Sequence, residues 1–305
     1  MSQANPMNKA IQHHPTGEQY EITAGDVTAV VTEQGATLRS LRHAGREVLW
    51  AFDANGMPQG SQGQQLLPWP NRIRDGRYSF GGADHQLPVN ELDRFTALHG
   101  LAAWVPWRLV HHTDTEVEQQ VRVLPQPGYP FSVEATLTHR VDAIGLTVEI
   151  SVRNVGNDEA PWGYAAHPYV SLGGRIDDWH VSSPFTQYLD VEADRLLPID
   201  LLPVAGTPEE LDDSAPLGAR TFDRAFAGPT GAWELTVTGA DASVTLWADE
   251  KLPWLQIYTP VDRLSLAIEP MSCGPDAFNP GATHDGLVRL APGEEWNAQW
   301  GLRLA

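Results

Sequence analysis

The chain has 305 residues, of which 42% are hydrophobic and 19% are charged, as in a soluble globular protein with a sizeable core. Its net charge of −19 argues against nucleic acid and anionic membrane surfaces as partners, because both need clustered Lys and Arg. No apolar stretch approaches the roughly 18 residues of a membrane span, and residues 1–20 lack the apolar core of a signal peptide. We therefore expect a cytoplasmic protein with a small, neutral ligand.

Alternating apolar and polar residues predict short β-strands along much of the chain. In chain order, the apolar positions are Val133, Ala135 and Leu137; Leu146, Val148, Ile150 and Val152; Trp233, Leu235 and Val237; and Leu264, Leu266 and Ile268. Long helical patterns are nearly absent, and 27 Gly and 24 Pro interrupt the chain in the manner of turns. Many short strands with frequent turns predict an all-β sandwich or barrel.

The domain organisation predicted from the sequence is simple. No internal repeat, low-complexity linker or shift in composition divides the chain, so we expect residues 1–305 to form one domain. About residues 1–19 are expected to be a flexible N-terminal extension. The acidic, proline-containing stretch from Leu197 to Leu217 predicts a long surface connection, with a short helical turn at Pro208–Leu211.

The first group of candidate site residues is the segment P-W-P-N-R-I-R-D-G at residues 68–76. Two prolines stiffen this segment, and its D-G pair predicts a turn before a strand over Arg77–Phe80. Arg72 presents hydrogen-bond donors in a fixed fork, which suits sugar hydroxyls or a catalytic carboxylate. A surface arginine in a hairpin is the alternative, and the segment taken alone favours that alternative.

His99 precedes a glycine in an aromatic-rich loop that also contains Trp104 and Trp107. A histidine in such a loop can face a ligand, and a tryptophan can offer an apolar platform to the C–H face of a sugar. Core packing accounts for the tryptophans equally well, and a lone histidine is more often structural than catalytic.

His167 lies in the segment W-G-Y-A-A-H-P-Y, where Pro168 restricts it to extended backbone. Small residues at positions 163, 165 and 166 predict open volume around the imidazole. An imidazole titrates near neutral pH, which suits a proton donor or acceptor at cellular pH. A hydrogen-bonded histidine at a strand end is an equal alternative.

Two C-terminal strands carry further candidates. Alternation in W-L-Q-I-Y at residues 254–258 places Gln256 on the same face as two aromatic side chains, and that face resembles a sugar-binding surface. Glu269 ends the next strand and shares a face with two small residues, so it can reach a ligand. Partial burial there would raise the pKa of Glu269 toward that of a useful base. A solvent-facing glutamate is the alternative, although its surroundings are apolar.

Common cofactor and nucleophile motifs are absent from the sequence. No complete dinucleotide-binding, P-loop, zinc-protease or nucleophile-elbow pattern occurs, so nucleotide cofactors have no support. The single cysteine, Cys273, has no second cysteine for a disulfide or a shared zinc site. A buried, inert thiol is the favoured interpretation, because a reactive thiol needs activating neighbours.

The order of these segments resembles the aldose 1-epimerase (galactose mutarotase) family. The matching motifs are P-N-R-I-x-x-G-x-Y-x-F-x-G at 70–82, L-H-G at 98–100, H-P-Y at 167–169 and E-P-x-x-x-x-P-D-A-F-N at 269–279. The resemblance spans about residues 20–303. It implies a large antiparallel β-sandwich, the galactose mutarotase-like supersandwich, without cofactor or metal.

The resemblance also implies an activity and roles for individual residues. Glu269 matches the family's general base and His167 its general acid, which together open and close the ring of a monosaccharide and interconvert its α and β anomers. The implied substrate-binding residues are Arg72, His99, Asp223 and Gln256. Val170 and Leu101 depart from residues common in the family beside the site, and these departures bear on the sugar preference more than on the reaction.

Two alternative functions fit the same fold. A relative acting on hexose 6-phosphates would need an extra basic group for the phosphate, and the only lysines are Lys9 and Lys251, although the arginines keep this alternative open. A non-catalytic sugar-binding protein would not need an acid–base pair, so the presence of both His167 and Glu269 argues against it. The physiological sugar and the oligomeric state stay open.

Overall fold

The computed structural model describes residues 13–305, and the regular secondary structure of this part of the chain is almost entirely β-strand, as the sequence predicts. Residues 1–12, most of the expected N-terminal extension, lie outside the described residues, and the first strand begins at Gln19. Two short 3-10 helices, at Ile176–Asp178 and His284–Gly286, are the helical elements among residues 13–305. No helix in this range has the length and apolar character needed to cross a membrane.

The strands are numbered β1 to β26 in chain order. The first thirteen are β1 Gln19–Ala24, β2 Val27–Thr32, β3 Leu38–His43, β4 Arg46–Glu47, β5 Gln65–Leu66, β6 Arg72–Arg74, β7 Arg77–Phe80, β8 Ala83–Gln86, β9 Thr96–Leu98, β10 Arg108–His112, β11 Glu116–Val123, β12 Val133–Asp142 and β13 Gly145–Asn154. The others are β14 Ala160–Trp162, β15 Ala165–Ala166, β16 Tyr169–Val170, β17 His180–Ser182, β18 Gln187–Val191, β19 Pro198–Pro203, β20 Asp223–Ala227, β21 Trp233–Thr238, β22 Ser243–Ala248, β23 Trp254–Tyr258, β24 Leu266–Met271, β25 Val288–Leu290 and β26 Glu295–Leu304.

Two large antiparallel sheets form the body of the protein. The rear sheet has the strand order β10-β11-β12-β13-β26-β22-β21-β17. The site sheet has the order β19-β18-β20-β23-β24-β15-β5, and β16 also pairs with β24. A smaller sheet contains β1 to β4, and three two-stranded pairs join β6 to β9, β7 to β8 and β14 to β25. The antiparallel β-sandwich expected from the sequence is confirmed.

The two large sheets share one hydrophobic core, into which alternate residues of their strands project. Val148 and Ile150 of β13 enter it from the rear sheet, and Leu266 and Ile268 of β24 enter it from the site sheet. Complete burial of each such side chain contributes roughly 1.5–3 kcal/mol to stability. Because side chains alternate along a strand, Glu269 of β24 projects away from this core, toward the outer face of the site sheet.

The stretch from Leu197 to Leu217 differs from the surface connection that the sequence predicts. Its first part is strand β19, which pairs with β18 at the edge of the site sheet. Proline at both ends of β19 argues against a strand in the sequence, although proline is tolerated at the edge of a sheet. Where a short helical turn is expected, at Pro208–Leu211, the chain forms a single hydrogen-bonded turn, in which the N–H of Glu210 donates to the carbonyl of Thr207, and no helix.

His139 is a polar residue within the core. It lies on the inward face of β12, is fully buried, and neither ring nitrogen has a hydrogen-bond partner in the described part of the chain. Burial lowers the pKa of His139 from the usual 6.5 to about 3. The unfolded chain takes up a proton on this ring below about pH 6.5 while the folded protein does not, so the free energy of unfolding falls as the pH drops toward 3.

We expect His139→Leu to stabilise the protein, and to do so more at pH 5 than at pH 8. Removing a buried polar group without partners should raise the free energy of unfolding by roughly 1–3 kcal/mol at both pH values. At pH 5 the gain should be larger, because the variant lacks the buried imidazole that only the unfolded chain can protonate. Urea unfolding at the two pH values measures both effects, with His111→Leu on the exposed strand β10 as the matched control. An equal gain at both pH values would contradict the burial of a neutral imidazole.

Candidate active site

A pocket of about 310 Å³ opens at the outer face of the site sheet. This volume lies in the range of small-molecule sites. All six site residues suggested by the sequence line it: Arg72, His99, His167, Asp223, Gln256 and Glu269. Glu91, Arg94, Tyr169 and Tyr258 also line it. Seven of these ten side chains are titratable or cationic groups other than tyrosine, so the pocket can both bind polar ligands and move protons.

Glu269 and His167 are in direct contact at the floor of the pocket. Nε2 of His167 lies 3.2 Å from Oε1 of Glu269, and the two side chains are 7% and 2% exposed. Neither Oε2 of Glu269 nor Nδ1 of His167 has a partner among the described residues. The pair therefore combines a possible proton acceptor and donor whose remaining hydrogen-bonding capacity is free for a ligand.

The backbone fixes His167 from both sides. It lies between β15 and β16; its N–H donates to the carbonyl of Gln64 and its carbonyl accepts from the N–H of Gly63. The imidazole stacks on Tyr169, with ring centroids 4.9 Å apart and planes 20° apart. The Tyr169 hydroxyl donates to the carbonyl of Gly60 at 2.6 Å. These contacts hold the ring against Glu269.

Small residues near His167 serve close packing, not the open volume that the sequence suggests. A Cβ at Gly163 would lie 2.7 Å from Sγ of Cys273 and 2.8 Å from Cδ of Pro70. Ala165 is fully buried between β5 and β24. The open volume beside His167 is the pocket, which residues 163, 165 and 166 do not line. Cys273 is buried, and burial raises the pKa of its thiol to about 12, which agrees with an inert thiol.

Burial changes the protonation of the central pair. It raises the pKa of Glu269 well above its usual value, an effect that the negative charge of Asp223 increases and the positive charge of Arg72 opposes. It lowers the pKa of His167 to about 3. Between these two pKa values the pair holds one proton in total, which the two shifts place on Glu269; transfer of that proton to His167 gives the minor, charged form of the pair.

Arg72 and His99 enter the pocket from the paired strands β6 and β9. Residues 75 and 76 form the turn that the sequence predicts, and β7 follows over Arg77–Phe80 as expected. His99 has a left-handed backbone (φ 63°) and donates its N–H to the carbonyl of Asn71 at 2.9 Å. Gly100 follows with φ 73°, where any Cβ would collide with the carbonyl oxygen of Leu67. The glycine of the L-H-G motif therefore allows the close approach that turns His99 toward His167, with ring centroids 5.5 Å apart.

Gln256 and Asp223 come from neighbouring strands. Gln256 of β23 is directly opposite Glu269 of β24, and it donates from Nε2 to Oδ1 of Asp223 at 2.7 Å. The Asp223 carboxylate is 30% exposed, and Oε1 of Gln256 has no partner in residues 13–305. Both side chains can therefore accept hydrogen bonds from ligand hydroxyls.

Sequence reasoning did not identify Glu91 and Arg94. Glu91 binds the Arg72 guanidinium through both carboxylate oxygens, at 2.8 and 3.0 Å, and it also accepts from Arg94 at 3.1 Å. These residues lie in an irregular loop before β9, where no alternation or motif distinguishes them from other surface charges. The pairing with Arg72 depends on how the chain folds between positions 72 and 91.

The tryptophan platform suggested by the sequence is wrong. Trp107 is buried in the core, Trp104 is 55% exposed, and neither lines the pocket. Trp254 packs in a small cluster beside the site sheet. The aromatic groups that line the pocket are Tyr169 and Tyr258.

Val170 and Leu101, the two departures from the family pattern, do not line the pocket. Val170 is fully buried in β16, and Leu101 packs against the main core. Any effect of these residues on a ligand must therefore act through the strands and loops that carry His167 and His99.

Within residues 13–305, no group of three or more His, Cys, Asp or Glu side chains is arranged to hold a metal ion.

Comparison with known proteins places the chain in a family. Residues 18–303 match the family model of aldose 1-epimerase. The chain is 33% identical over 282 residues to the uncharacterized protein YihR of Escherichia coli K12, covering 90% of this chain and 91% of that protein. It is 27% identical over 229 residues to galactose mutarotase of Mus musculus, covering 68% and 64% of the two chains.

Solved structures share the fold. A putative aldose 1-epimerase from E. coli K12 superposes with a TM-score of 0.80 at 23% identity, covering 94% of this chain and 99% of the other. A GalM/aldose epimerase homologue from C. elegans gives a TM-score of 0.82 at 18% identity, covering 94% and 98% of the two chains. Together with the family match along nearly the whole length, these likenesses agree with the order of motifs in the sequence. The chain belongs to the aldose 1-epimerase family.

Proposed function

We propose that this protein is an aldose 1-epimerase that interconverts the α and β anomers of a free aldohexose. The observation that carries the proposal is the 3.2 Å contact between Glu269 and His167 in a pocket large enough for a monosaccharide. The anomeric hydroxyl and the ring oxygen of a sugar are bonded to the same carbon. An acid and a base that act on these two oxygens must therefore lie close together, as these two side chains do.

In the proposed reaction, the shared proton first moves from Glu269 to His167 across their 3.2 Å contact; Glu269 then removes the proton from the anomeric hydroxyl while protonated His167 donates a proton to the ring oxygen. The bond between C1 and the ring oxygen breaks, and C1 becomes an aldehyde carbon. Rotation about C1–C2 presents the opposite face of the aldehyde, and closure reverses both proton transfers. The proton count balances, because the pair holds one proton before and after each transfer.

The other side chains of the pocket would hold the sugar. Asp223 and Gln256 offer acceptors for hydroxyl groups, and Nη1 of Arg72, which makes no hydrogen bond to Glu91, offers a donor. The His99 ring lies beside His167, and burial lowers the pKa of His99 well below its usual value. A neutral His99 does not add a second positive charge next to protonated His167, so it suits hydrogen bonding to the sugar.

The alternative functions have less support. The two arginines of the pocket, Arg72 and Arg94, lie beside two carboxylates, Glu91 and Asp223, so this cluster has no excess positive charge for a phosphate group. This arrangement disfavours a hexose 6-phosphate as the preferred substrate. A non-catalytic sugar-binding role would not account for two buried titratable groups in contact.

Polarimetry of freshly dissolved α-D-glucose and α-D-galactose tests the proposal. We expect the protein to accelerate the approach to anomeric equilibrium well beyond the rate in buffer alone. Glucose 6-phosphate is included to test the alternative substrate class, and we expect it to react with a lower kcat/KM. An unchanged rate across a broad panel of sugars would contradict the proposal.

The pH dependence of the reaction follows from the shared proton. Activity requires an acid and a base, so we expect kcat/KM to stay high while the pair holds one proton and to fall as the pH rises through the raised pKa of Glu269. On the acid side, kcat/KM should begin to fall only toward pH 3, where His167 is protonated and the pair holds two protons. The measurement is a pH–rate profile corrected for the spontaneous reaction. A fall in kcat/KM below about pH 4.5, the usual pKa of glutamate, would contradict this account.

A further inference from the structure

We propose that Glu91 is a positioning residue that holds the Arg72 guanidinium away from Asp223, so that Asp223 stays free to accept a hydrogen bond from the sugar. The inference rests on the proposed function, because its kinetic consequence is measured on the sugar reaction. It starts from the contacts of Arg72, which lies between two carboxylates.

Glu91 holds Arg72 in a two-point contact. Oε2 accepts from Nε of Arg72 at 2.8 Å and Oε1 accepts from Nη2 at 3.0 Å. The side chains are 9% and 13% exposed, so water screens the pair little. Such parallel bonds between a planar fork and a carboxylate fix direction as well as distance.

Two further donors fix the Glu91 carboxylate itself. The Thr96 hydroxyl donates to Oε2 at 2.6 Å, and Nη1 of Arg94 donates to Oε1 at 3.1 Å. Thr96 is fully buried in β9, the strand that pairs with β6 and leads into His99. The carboxylate is therefore anchored to the same strand pair that carries Arg72 and His99.

Asp223 is the competing partner. Its Oδ2 lies 3.8 Å from Nη2 of Arg72, beyond hydrogen-bond distance, while its Oδ1 accepts from Gln256. Without Glu91, a poorly solvated Arg72 would have one nearby carboxylate left, and a small movement would let it pair with Asp223. That movement would occupy Asp223 and disturb its bond to Gln256.

The charge balance near the reacting pair would change as well. Asp223 and Arg72 act in opposite directions on the pKa of Glu269, which also contacts His167. Pairing of Arg72 with Asp223 would cancel the effect of Asp223, and loss of Glu91 would leave the positive charge of Arg72 less balanced. Both changes lower the pKa of Glu269, so the alkaline limb of the pH–rate profile should move to lower pH.

The test compares Glu91→Gln with Glu192→Gln in the full chain. Glu192 pairs with Arg74 at 3.0 Å outside the pocket, which makes it a matched control for the loss of an arginine partner. We expect Glu91→Gln to raise KM roughly 10- to 100-fold, the loss that follows from weakening one hydrogen bond to a charged group. Its kcat should fall less, and its alkaline limb should shift to lower pH. Glu192→Gln should match the wild type in KM, in kcat and in the position of the alkaline limb.

Thr96→Val keeps the test decisive if Glu91→Gln fails to fold. It removes only the hydroxyl bond to Glu91, and we expect the same changes at smaller size. An unchanged KM and pH profile in a folded variant would overturn the role of Glu91. If the wild type shows no anomerase activity, the proposed function fails, and a crystal structure of Glu91→Gln then decides the positioning role separately. Arg72 paired with Asp223 would support that role, and an unmoved Arg72 would overturn it.

Discussion

Replacing Glu269 by glutamine is expected to lower kcat for anomer interconversion roughly 10²–10⁴-fold while the protein stays folded. Glutamine has nearly the same shape as glutamate but cannot take a proton from the anomeric hydroxyl. The buried position between Gln256 and His167 should be filled as before, so KM should change much less than kcat. Polarimetry at saturating sugar measures the loss. Activity within a few-fold of the wild type would contradict the assignment of Glu269 as the base.

The same substitution should make the protein more stable at alkaline pH. The pKa of Glu269 is raised in the folded protein, so the folded state binds this proton more tightly than the unfolded chain does. The free energy of unfolding therefore falls as the pH rises above about 4.5, and the loss is complete once the pH exceeds the raised value. Glutamine removes this loss.

We expect Glu269→Gln to gain roughly 0.5–2 kcal/mol at pH 8, the size common for single stabilising substitutions. At pH 4, where Glu269 is protonated in both states, the variant and the wild type should differ little. Thermal unfolding at the two pH values separates these cases. A variant less stable than the wild type at pH 8 would indicate that the carboxylate stabilises the fold, contrary to its burial without a second hydrogen-bond partner.

His167→Asn is the second change with a large expected effect, again a roughly 10²–10⁴-fold decrease in kcat. Asparagine fits the space but cannot deliver a proton to the ring oxygen. His111→Asn, on the exposed edge strand β10, is the matched control and should react like the wild type. A modest loss in His167→Asn would transfer the acid role to another group.

The double variant tests whether the two residues act as a unit. If Glu269 and His167 share one proton in one step, the second substitution has little left to remove, so the double variant should be about as slow as the slower single variant. Independent residues would instead multiply their losses. The comparison needs only the kcat values of the wild type, the two single variants and the double variant.

The fold could be predicted because one face of each long strand is buried. Val148 and Ile150 of β13 and Trp233 and Leu235 of β21 alternate with polar residues, and each pair lies in the core as expected. Strand β19 escaped prediction, since it lies at a sheet edge where neither face is fully buried and alternation is weak. Strand order and register depend on contacts between distant segments, which local patterns do not encode.

The site was predictable only in part, for a similar reason. Local sequence suggests that His167 and Glu269 lie on extended backbone, but their contact across about a hundred residues requires β16 to pair with β24. That pairing was anticipated through the family resemblance and not through spacing. Glu91 was missed because its role depends on Arg72, a partner 19 residues away across a folded loop. The roles of all these residues in catalysis remain predictions.

Exchange NMR on glucose labelled with ¹³C at C1 tests the central claim most directly. At anomeric equilibrium, an aldose 1-epimerase transfers magnetisation between the α and β signals without net reaction, so the measurement reports ring opening and closure alone. We expect exchange cross-peaks with the wild type that exceed the background in buffer and disappear with Glu269→Gln. Absence of enzyme-dependent exchange for glucose, galactose and other aldohexoses, with the protein folded, would contradict the account.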